Sequence, residues 1–183
     1  DALRLVYKDE ESYLKKLDMR VRYGNVSNLQ ADRVSQLLNR CNRFNLRTQR
    51  ATVDQVKRLI IDESFCLMYF TLEDIYEDYG MVSVVVGKKI TPDTIFIDNW
   101  VLSCRAFGRD VEKAIFNAFI NTMKQMNIKK IVGEYLPTKK NDMVKDLYLK
   151  FGFEICEDRT YLLRVQNYSE MQNLISLEYG EKT

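Results

Sequence analysis

The stretch Trp100-Val-Leu-Ser-Cys-Arg-Ala-Phe-Gly-Arg-Asp-Val111 decides which fold the sequence predicts. An apolar run ends at Arg105, Gly108 follows three residues later, and an amphipathic pattern begins at Val111. The run predicts a strand, the glycine a tight turn and the pattern a long helix. The first amides of a helix have no internal partner and its start carries partial positive charge, so this junction is a natural anion cradle.

Residue patterns on both sides of the junction predict a mixed fold. Alternating residues, or runs rich in Val, Ile, Phe and Tyr, predict strands at 19–26, 65–72, 81–86, 94–104, 128–135, 153–155 and 160–165. Helical spacing predicts helices at about 34–41, 52–62, 111–126 and 144–151. Thr52 with Gln55 has the form of a capping box that opens the second of these helices. We therefore expect the α/β (α+β) class, with a mixed, mostly antiparallel central sheet and helices on both faces.

The chain of 183 residues has the length of one domain. Residues 1–18 are rich in Glu and Lys and predict a lead-in helical segment, and the sheet pattern predicts one domain over 19–166. Residues 167–183 are mostly polar, and we expect a C-terminal appendage there.

Composition excludes several classes of function. The 28 basic and 26 acidic side chains nearly balance, which argues against a nucleic-acid partner, and no apolar run approaches the roughly 20 residues that span a membrane. Histidine is absent and the four cysteines lack metal-ligand spacing, so no metal site is predicted. A general base must be a carboxylate, a tyrosinate or a relayed water. We expect a cytoplasmic protein with free thiols, and we expect Cys104 to point into the core.

The order of elements resembles that of the GNAT superfamily of N-acetyltransferases, and two motifs lie where that superfamily has its own. The acyl-CoA loop motif is matched by Arg105 and Gly108, but its last position is Asp110 in place of Gly or Ala. The later motif has Val144 in the place of an alanine. Its matching residues are Asn141, Leu147, Tyr148, Gly152 and Phe153.

A closer resemblance, over nearly the whole chain, is to the C-terminal half of FkbH-like proteins. The stretches that carry it are Asn42-Arg-Phe-Asn45-Leu-Arg-Thr48, Ile97-Asp-Asn-Trp100-Val-Leu-Ser103-Cys-Arg105-Ala-Phe-Gly108-Arg109 and Gly133-Glu-Tyr135-Leu-Pro137-Thr-Lys-Lys140-Asn141. FkbH-like proteins pair an N-terminal haloacid-dehalogenase-type (HAD-type) domain with a GNAT-like domain. They are associated with loading a glyceryl unit onto acyl carrier protein, for methoxymalonyl-type extender units in polyketide biosynthesis. The Asp-x-Asp nucleophile motif of the HAD-type domain is absent from this sequence. The resemblance therefore implies a GNAT-like domain whose partner is an N-terminal HAD-type domain.

The resemblance also implies a site. Two splayed strands would hold the pantetheine arm through backbone groups near Leu102 and Ser103, and the amides of residues 107–111 would hold the diphosphate. Tyr148 would protonate the departing thiolate, and Glu134 would take the proton of the attacking amine. The residues assigned to the cofactor are Leu102, Ser103, Arg105, Phe107, Gly108, Arg109, Asp110, Val111 and Asn141.

Several of these assignments have a structural alternative. Tyr148 lies on an apolar stripe and fits a core tyrosine equally well, Glu134 fits an ion pair with a lysine, and Asp98 is a second candidate base. Asp110 weakens the diphosphate assignment, because like charges about 5 Å apart repel by about 3 kcal/mol at an effective dielectric of about 20.

Two functions therefore remain open. The first is an acyltransferase module that binds acetyl-CoA, another acyl-CoA or the phosphopantetheine arm of an acyl carrier protein. The second is a non-catalytic domain that recognises the carrier protein or acts as a scaffold for the missing HAD-type domain. Carrier proteins are acidic, so a basic face suits either function. Its predicted members are Arg105, Arg109, Lys139 and Lys140.

Overall fold

The computed structural model describes residues 2–157 and 159–181. Its helices are α1 (Ala2–Lys16), α2 (Ala31–Arg40), α3 (Val53–Ile61), α4 (Val111–Gln125) and α5 (Leu147–Lys150). Its strands are β1 (Arg20–Asn25), β2 (Phe44–Asn45), β3 (Phe65–Glu73), β4 (Asp78–Thr91), β5 (Thr94–Leu102), β6 (Lys130–Glu134), β7 (Glu154–Glu157), β8 (Thr160–Arg164) and β9 (Ser176–Tyr179).

A single sheet organises the chain, in the order β7-β8-β6-β5-β4-β3-β1-β9, with β2 paired to β5 off this path. The β5–β6 and β1–β9 pairs are parallel, and the other pairs are antiparallel. The predicted class, with a mixed and mostly antiparallel central sheet, is therefore confirmed.

Helices cover both faces of this sheet, as predicted. On one face, Phe116 of α4 stacks on Trp100 of β5 with ring centres 5.7 Å apart, and both side chains are fully buried. On the other face, α2 and α3 bury Val34 and Val56 in one cluster with Val84 of β4. Burial of each large apolar side chain contributes about 1.5–3 kcal/mol, so the two clusters hold the helices to the sheet.

The segment after residue 166 is built into the sheet. β9 pairs in parallel with β1, and Asn117 of α4 holds the chain that leads to it. The Nδ2 of Asn117 donates to the carbonyl oxygen of Met171 at 2.7 Å, and its Oδ1 accepts from the Met171 amide at 2.9 Å. β9 was not predicted, although Ser176-Leu-Glu-Tyr179 alternates polar and apolar residues, because one four-residue alternation within a mostly polar segment is a weak signal. The division into a lead-in segment, one domain and an appendage stays a prediction.

A fork opens in the sheet between β5 and β6. The two strands pair only from Thr94 to Phe96 on β5 and from Lys130 to Val132 on β6, although β5 continues to Leu102. We use the word fork for the space between residues 97–102 of β5 and residues 133–134 of β6. Because β5 leads directly into the turn before α4, the fork lies next to the junction on which the sequence prediction rests.

Within the described residues, no helix is both long and apolar enough to cross a bilayer. The same part of the chain holds no group of three or more Cys, Asp or Glu side chains suited to a metal ion.

Candidate functional site

The fork is filled by residues 44–48 of the chain itself, which we name the strap. β2, at the start of the strap, pairs with residues 101–102 of β5 on the edge that β6 leaves. On the opposite side, the carbonyl oxygen of Leu46 accepts a hydrogen bond from the amide of Leu136 at 2.9 Å. The side chains of Phe44 and Leu46 are buried. The strap therefore closes the gap between the two strands like an additional short strand.

Arg47 of the strap ties together the two carboxylates that the sequence offers as bases. Its Nε donates to Glu134 Oε1 at 2.9 Å, and its Nη1 donates to the carbonyl oxygen of Asp98 at 2.8 Å and to Asp98 Oδ1 at 3.2 Å. The guanidinium carbon also lies 4.8 Å from the centre of the Phe96 ring. Glu134 thus forms an ion pair, with an arginine in place of the expected lysine. Its role as a base stays a prediction.

Tyr148 lies behind the fork, and its hydroxyl has no hydrogen-bond partner among the described residues. The residue is 2% exposed, and its ring packs on Gly133, where an added Cβ would lie 2.3 Å from Tyr148 Cζ. Burial raises the pKa of the phenol, and the nearby charge of Arg47 lowers it only in part. The hydroxyl therefore keeps its proton at neutral pH, which excludes a tyrosinate base, but the same shift makes it a weaker acid than an ordinary phenol. The assignment of Tyr148 as the general acid stays a prediction.

Asn141, assigned to the cofactor by resemblance, links the strap to the chain after β6. It is fully buried, and its Nδ2 donates to the carbonyl oxygens of Asn45 at 2.9 Å and Leu136 at 3.0 Å. Its Oδ1 accepts from the amide of Thr138 at 2.7 Å and from the hydroxyl of Tyr135 at 3.1 Å. All hydrogen-bonding positions of the amide group are engaged within the protein, so Asn141 acts here as an internal latch.

The turn before α4 has the backbone that the sequence predicts. Gly108 and Asp110 both have left-handed backbone, with φ of 77° and 60°. No backbone hydrogen bond within the described chain uses the amides of residues 108–110, so these three could face an anion, whereas Val111 is fully buried. Asp110 is the N-cap of α4 and pairs with Lys113 at 3.1 Å, which offsets part of its charge.

The surface beside this turn is nevertheless acidic. The depression that contains Asp110 is also lined by Glu10 and Glu11 of α1. Arg109, which the resemblance assigns to phosphate, instead donates to Asp74 Oδ2 at 3.0 Å. A diphosphate at this turn would meet three carboxylates. The assignment of the turn to a diphosphate stays a prediction, with this charge against it.

Asp74 anchors the β3–β4 connection, and its ionisation stabilises the fold. Its side chain is 2% exposed, and its Oδ1 accepts from the amides of Tyr76 at 2.8 Å and Glu77 at 2.9 Å. Burial raises the pKa of this carboxyl. The hydrogen bonds from the amides and the Tyr79 hydroxyl and the charge of Arg109 lower it by a larger amount, so the pKa lies below its ordinary value. The stability that this ionisation contributes is fully present above the unfolded pKa, and it is lost as pH falls through the folded pKa.

We expect Asp74→Asn to lower the free energy of unfolding by about 2 kcal/mol at pH 7, because a charged hydrogen-bond network is lost. The variant should also lose less stability than the wild type between pH 7 and pH 3. Urea unfolding at both pH values measures this, with Asp142→Asn as the control because the Asp142 side chain is 82% exposed. Equal acid sensitivity of Asp74→Asn and wild type would contradict the assignment.

A basic cavity of about 480 Å³ lies where β5 ends, beside the residues that lead into the strap. Leu102, Ser103 and Phe107 form part of its wall. None of the described side chains that line it is acidic. Its cations are Arg33, Arg40, Arg43, Arg105 and Lys140. Arginine side chains bind phosphate through paired N–H donors, so this cavity suits a phosphorylated ligand.

The structure separates the predicted cofactor residues into groups. Those that line the basic cavity are Leu102, Ser103, Arg105 and Phe107. Gly108 and Asp110 lie on the acidic depression, and Val111 is buried at the start of α4. The predicted basic face is also divided. Arg105 and Lys140 line the cavity, although Arg105 also pairs with Glu77 at 2.5 Å, whereas Arg109 is held by Asp74.

Cys104 is exposed and lines the basic cavity, so the prediction that it points into the core is wrong. The 3-10 turn Cys104–Ala106 turns Ala106 inward and Cys104 outward. Cys41 lines the same cavity, and its burial raises the pKa of the thiol to about 11. The Cys41 thiol is therefore neutral at physiological pH and does not oppose an anion.

Three of the five cavity cations were not predicted from the sequence, namely Arg33, Arg40 and Arg43. Arg33 and Arg40 are seven residues apart, which places them on one side of α2 after two helical turns, and Arg43 follows the helix. This spacing is the signal that could have found them. Arg43 also lies over Phe107, 5.4 Å from the ring centre, a contact that no sequence pattern reveals.

Comparison with known proteins bears on the fold. No protein-family model matches the sequence, and no curated protein matches it at a significant level. Among solved structures, the ribosomal-protein-S18-alanine N-acetyltransferase from Escherichia coli matches with a TM-score of 0.61 at 11% identity, over 79% of this chain and 94% of that chain. The chain has the GNAT acetyltransferase fold. The resemblance to GNAT proteins is confirmed at the level of the fold.

Other solved structures with this fold match with slightly lower TM-scores. Ard1 from Thermoplasma volcanium matches with a TM-score of 0.58 at 19% identity, over 78% of this chain and 94% of that chain. An aminoglycoside acetyltransferase in complex with coenzyme A matches with a TM-score of 0.56 at 14% identity, over 80% of this chain and 95% of that chain. At such low sequence identity, structural similarity establishes the fold alone. Function has to be argued from the geometry of the site.

Proposed function

We propose that this GNAT-fold domain binds the phosphopantetheine arm of an acyl thioester through the basic cavity. The observation that carries the proposal is a cavity of about 480 Å³ with five cations and no acidic side chain among the residues that line it. It lies at the end of β5, where the resemblance assigns the pantetheine arm. The aminoglycoside acetyltransferase with bound coenzyme A shows that the fold holds such a ligand.

The shape and chemistry of the cavity support this ligand. Arg40, Arg43 and Arg105 can neutralise a phosphate group, and Leu102 and Phe107 offer apolar surface for the pantetheine chain. Ligand sites commonly combine an apolar wall with a few placed charges. The arm would extend from the phosphate along the edge of β5 towards Tyr148.

A carrier protein fits the charge of this surface better than free coenzyme A. The arm on a carrier protein has a single phosphodiester, whereas coenzyme A brings a diphosphate and a further phosphate. The acidic depression at Asp110, Glu10 and Glu11 would repel these extra groups. An acidic carrier would be steered to the basic cavity. We therefore propose a role beside an acyl carrier protein and an N-terminal HAD-type domain, in FkbH-like synthesis of methoxymalonyl or glyceryl carrier thioesters.

We expect the double variant Arg40→Glu with Arg43→Glu to bind coenzyme A at least tenfold more weakly than the wild type, because two charge-assisted contacts become repulsive. Calorimetric titration at moderate salt measures the affinity, and added salt should weaken the wild type more than the variant. The matched control is Lys57→Glu with Arg58→Glu, which makes the same charge change at exposed positions on α3. Equal affinities of wild type and cavity variant would contradict the proposed site.

A second candidate function, acyl transfer at the fork, is favoured by the unpartnered hydroxyl of Tyr148. Tyr148→Phe removes only this hydroxyl. If Tyr148 protonates the departing thiolate, turnover falls by at least about a hundredfold, while the affinity for coenzyme A falls by no more than about tenfold, the contribution of one hydrogen bond. An assay of free thiol release with acetyl-CoA and amine acceptors measures turnover. Unchanged turnover in Tyr148→Phe would contradict the acid role and leave the binding function standing.

A further inference from the structure

The strap occupies the edge of β5 that the pantetheine arm would need. Resting on the proposed function, we infer that the strap is an autoinhibitory contact. The strap and the arm compete for the fork, so the arm enters only when the strap leaves. The pairing of β2 with residues 101–102 uses backbone groups of the edge along which the arm would lie.

Several bonds from three directions hold the closed strap. Arg47 donates to Asp98 and Glu134 on the two strands of the fork. The carbonyl of Leu46 accepts from the Leu136 amide, and Asn141 holds the carbonyl of Asn45. These contacts join the strap to β5, to β6 and to the chain that follows β6, so they must break together when the strap leaves.

The closed strap is also strained, and the strain lies at the fork. Thr48 is β-branched and yet has a left-handed backbone with φ of 54°, a conformation that a β-branched residue rarely adopts. Within the described residues, the buried side-chain polar atoms without a hydrogen-bond partner are Thr48 Oγ1 and Tyr148 Oη. One belongs to the strap and the other lies behind it. Strained backbone and unpaired buried groups are concentrated where a structure has to change.

A pantetheine arm in the fork would relieve the backbone strain at Thr48 and give the Tyr148 hydroxyl a partner. Its amide and thioester carbonyls could accept a hydrogen bond from the Tyr148 hydroxyl, which the strap leaves unpaired. Its extended chain could take the place of β2 on the edge of β5. The apparent affinity for the ligand is then the intrinsic affinity reduced by the fraction of open molecules.

Two substitutions in the strap should change this fraction in opposite directions. Arg47→Gln breaks the bridge from Asp98 to Glu134, so the open fraction rises and coenzyme A binds at least about threefold more tightly. Thr48→Gly relieves the strain of the left-handed backbone and removes the unpaired hydroxyl. The closed form is therefore more populated, and coenzyme A binds about fivefold more weakly. The matched controls are Arg58→Gln, with the same charge change on α3, and Asn127→Gly, which relieves a left-handed residue with φ of 58° away from the strap. Neither control should change the affinity.

Hydrogen exchange tests the strap without any ligand. The probes are the amide of Leu136, which donates to the Leu46 carbonyl at 2.9 Å, and the amide of residue 47, which donates to Asn99 Oδ1 at 3.3 Å. Both should exchange faster in Arg47→Gln and more slowly in Thr48→Gly than in the wild type. Unchanged exchange in both variants would show a fixed strap and overturn the inference. Changed exchange with unchanged affinity would overturn the competition.

The two failures are distinguishable. If coenzyme A and a phosphopantetheinylated carrier protein bind to none of these proteins, the proposed function is wrong, and so is the competition. If they bind to the wild type and to both strap variants with equal affinity, the proposed function stands and the autoinhibitory strap is rejected.

Discussion

Gly133→Ala should unfold at least about 6 °C below the wild type. An added Cβ would lie 2.3 Å from Tyr148 Cζ and 2.5 Å from Tyr148 Cε1, closer than any real contact. The tyrosine cannot move aside because it is 2% exposed and its ring lies 4.8 Å from that of Phe153. Overpacking of a rigid core costs about 3 kcal/mol, which corresponds to about 6–12 °C in a chain of this length. Calorimetric melting measures the change.

The pairing of this glycine with Tyr148 can be checked by a double variant. Gly133→Ala combined with Tyr148→Leu should be less destabilised than the sum of the two single variants, because the shorter side chain vacates the space that the new methyl needs. The control is Gly24→Ala, whose Cβ would lie 3.2 Å from the Tyr69 hydroxyl oxygen, at the tip of that side chain. A melting temperature of Gly133→Ala within 2 °C of the wild type would contradict the packing described.

Asn141→Ala should lower the free energy of unfolding by about 3–4 kcal/mol. The residue is fully buried, and its loss leaves two carbonyls and one amide without this partner: the carbonyl of the buried Asn45, the carbonyl of the half-buried Leu136 and the amide of Thr138. Each buried group left without a partner costs about 1–3 kcal/mol, of which local rearrangement recovers a part. Urea unfolding measures the loss. Because the latch to the strap is also broken, the Leu136 amide should exchange faster in this variant.

The neighbouring Asp142 provides the control for this prediction. Its side chain is 82% exposed and forms only a 3.6 Å ion pair with Lys145, so Asp142→Ala should stay within about 0.5 kcal/mol of the wild type. A loss below 1 kcal/mol in Asn141→Ala would show that water replaces the amide, and it would contradict the role of Asn141 as a latch.

Local patterns were sufficient to predict most of the helices and strands. The capping box at Thr52 and Gln55 is present, with the Gln55 amide 3.2 Å from Thr52 Oγ1. The stripe that begins at Val111 forms α4, and Gly108 and Asp110 form a left-handed turn before it. These features depend on neighbours within a few residues, and hydrophobic spacing and capping chemistry describe such interactions directly.

The candidate site was predictable only in part. Leu102, Ser103, Arg105 and Phe107 do line one cavity, because they follow one another along a strand and its turn. Arg109 belongs to the same run, yet a buried carboxylate 35 residues earlier in the chain draws it away. Which carboxylate each of these neighbouring arginines binds, Glu77 for Arg105 and Asp74 for Arg109, depends on residues that are distant in sequence.

The strap could not be predicted from the sequence. Its paired part is only two residues long, too short for any periodicity. The contacts of Arg47 join it to residues 51 and 87 positions away.

The sequence by itself determined the class of fold, the junction at 100–111 and the absence of histidine chemistry, because these depend on composition and on local spacing. The tertiary structure alone decided that the fork is filled, that Asn141 is a latch and that five cations surround one cavity. The physical reason is the same in each case. Side chains far apart in the chain meet only when the sheet has formed, and their partners there decide whether each charge or hydroxyl is satisfied or left for a ligand.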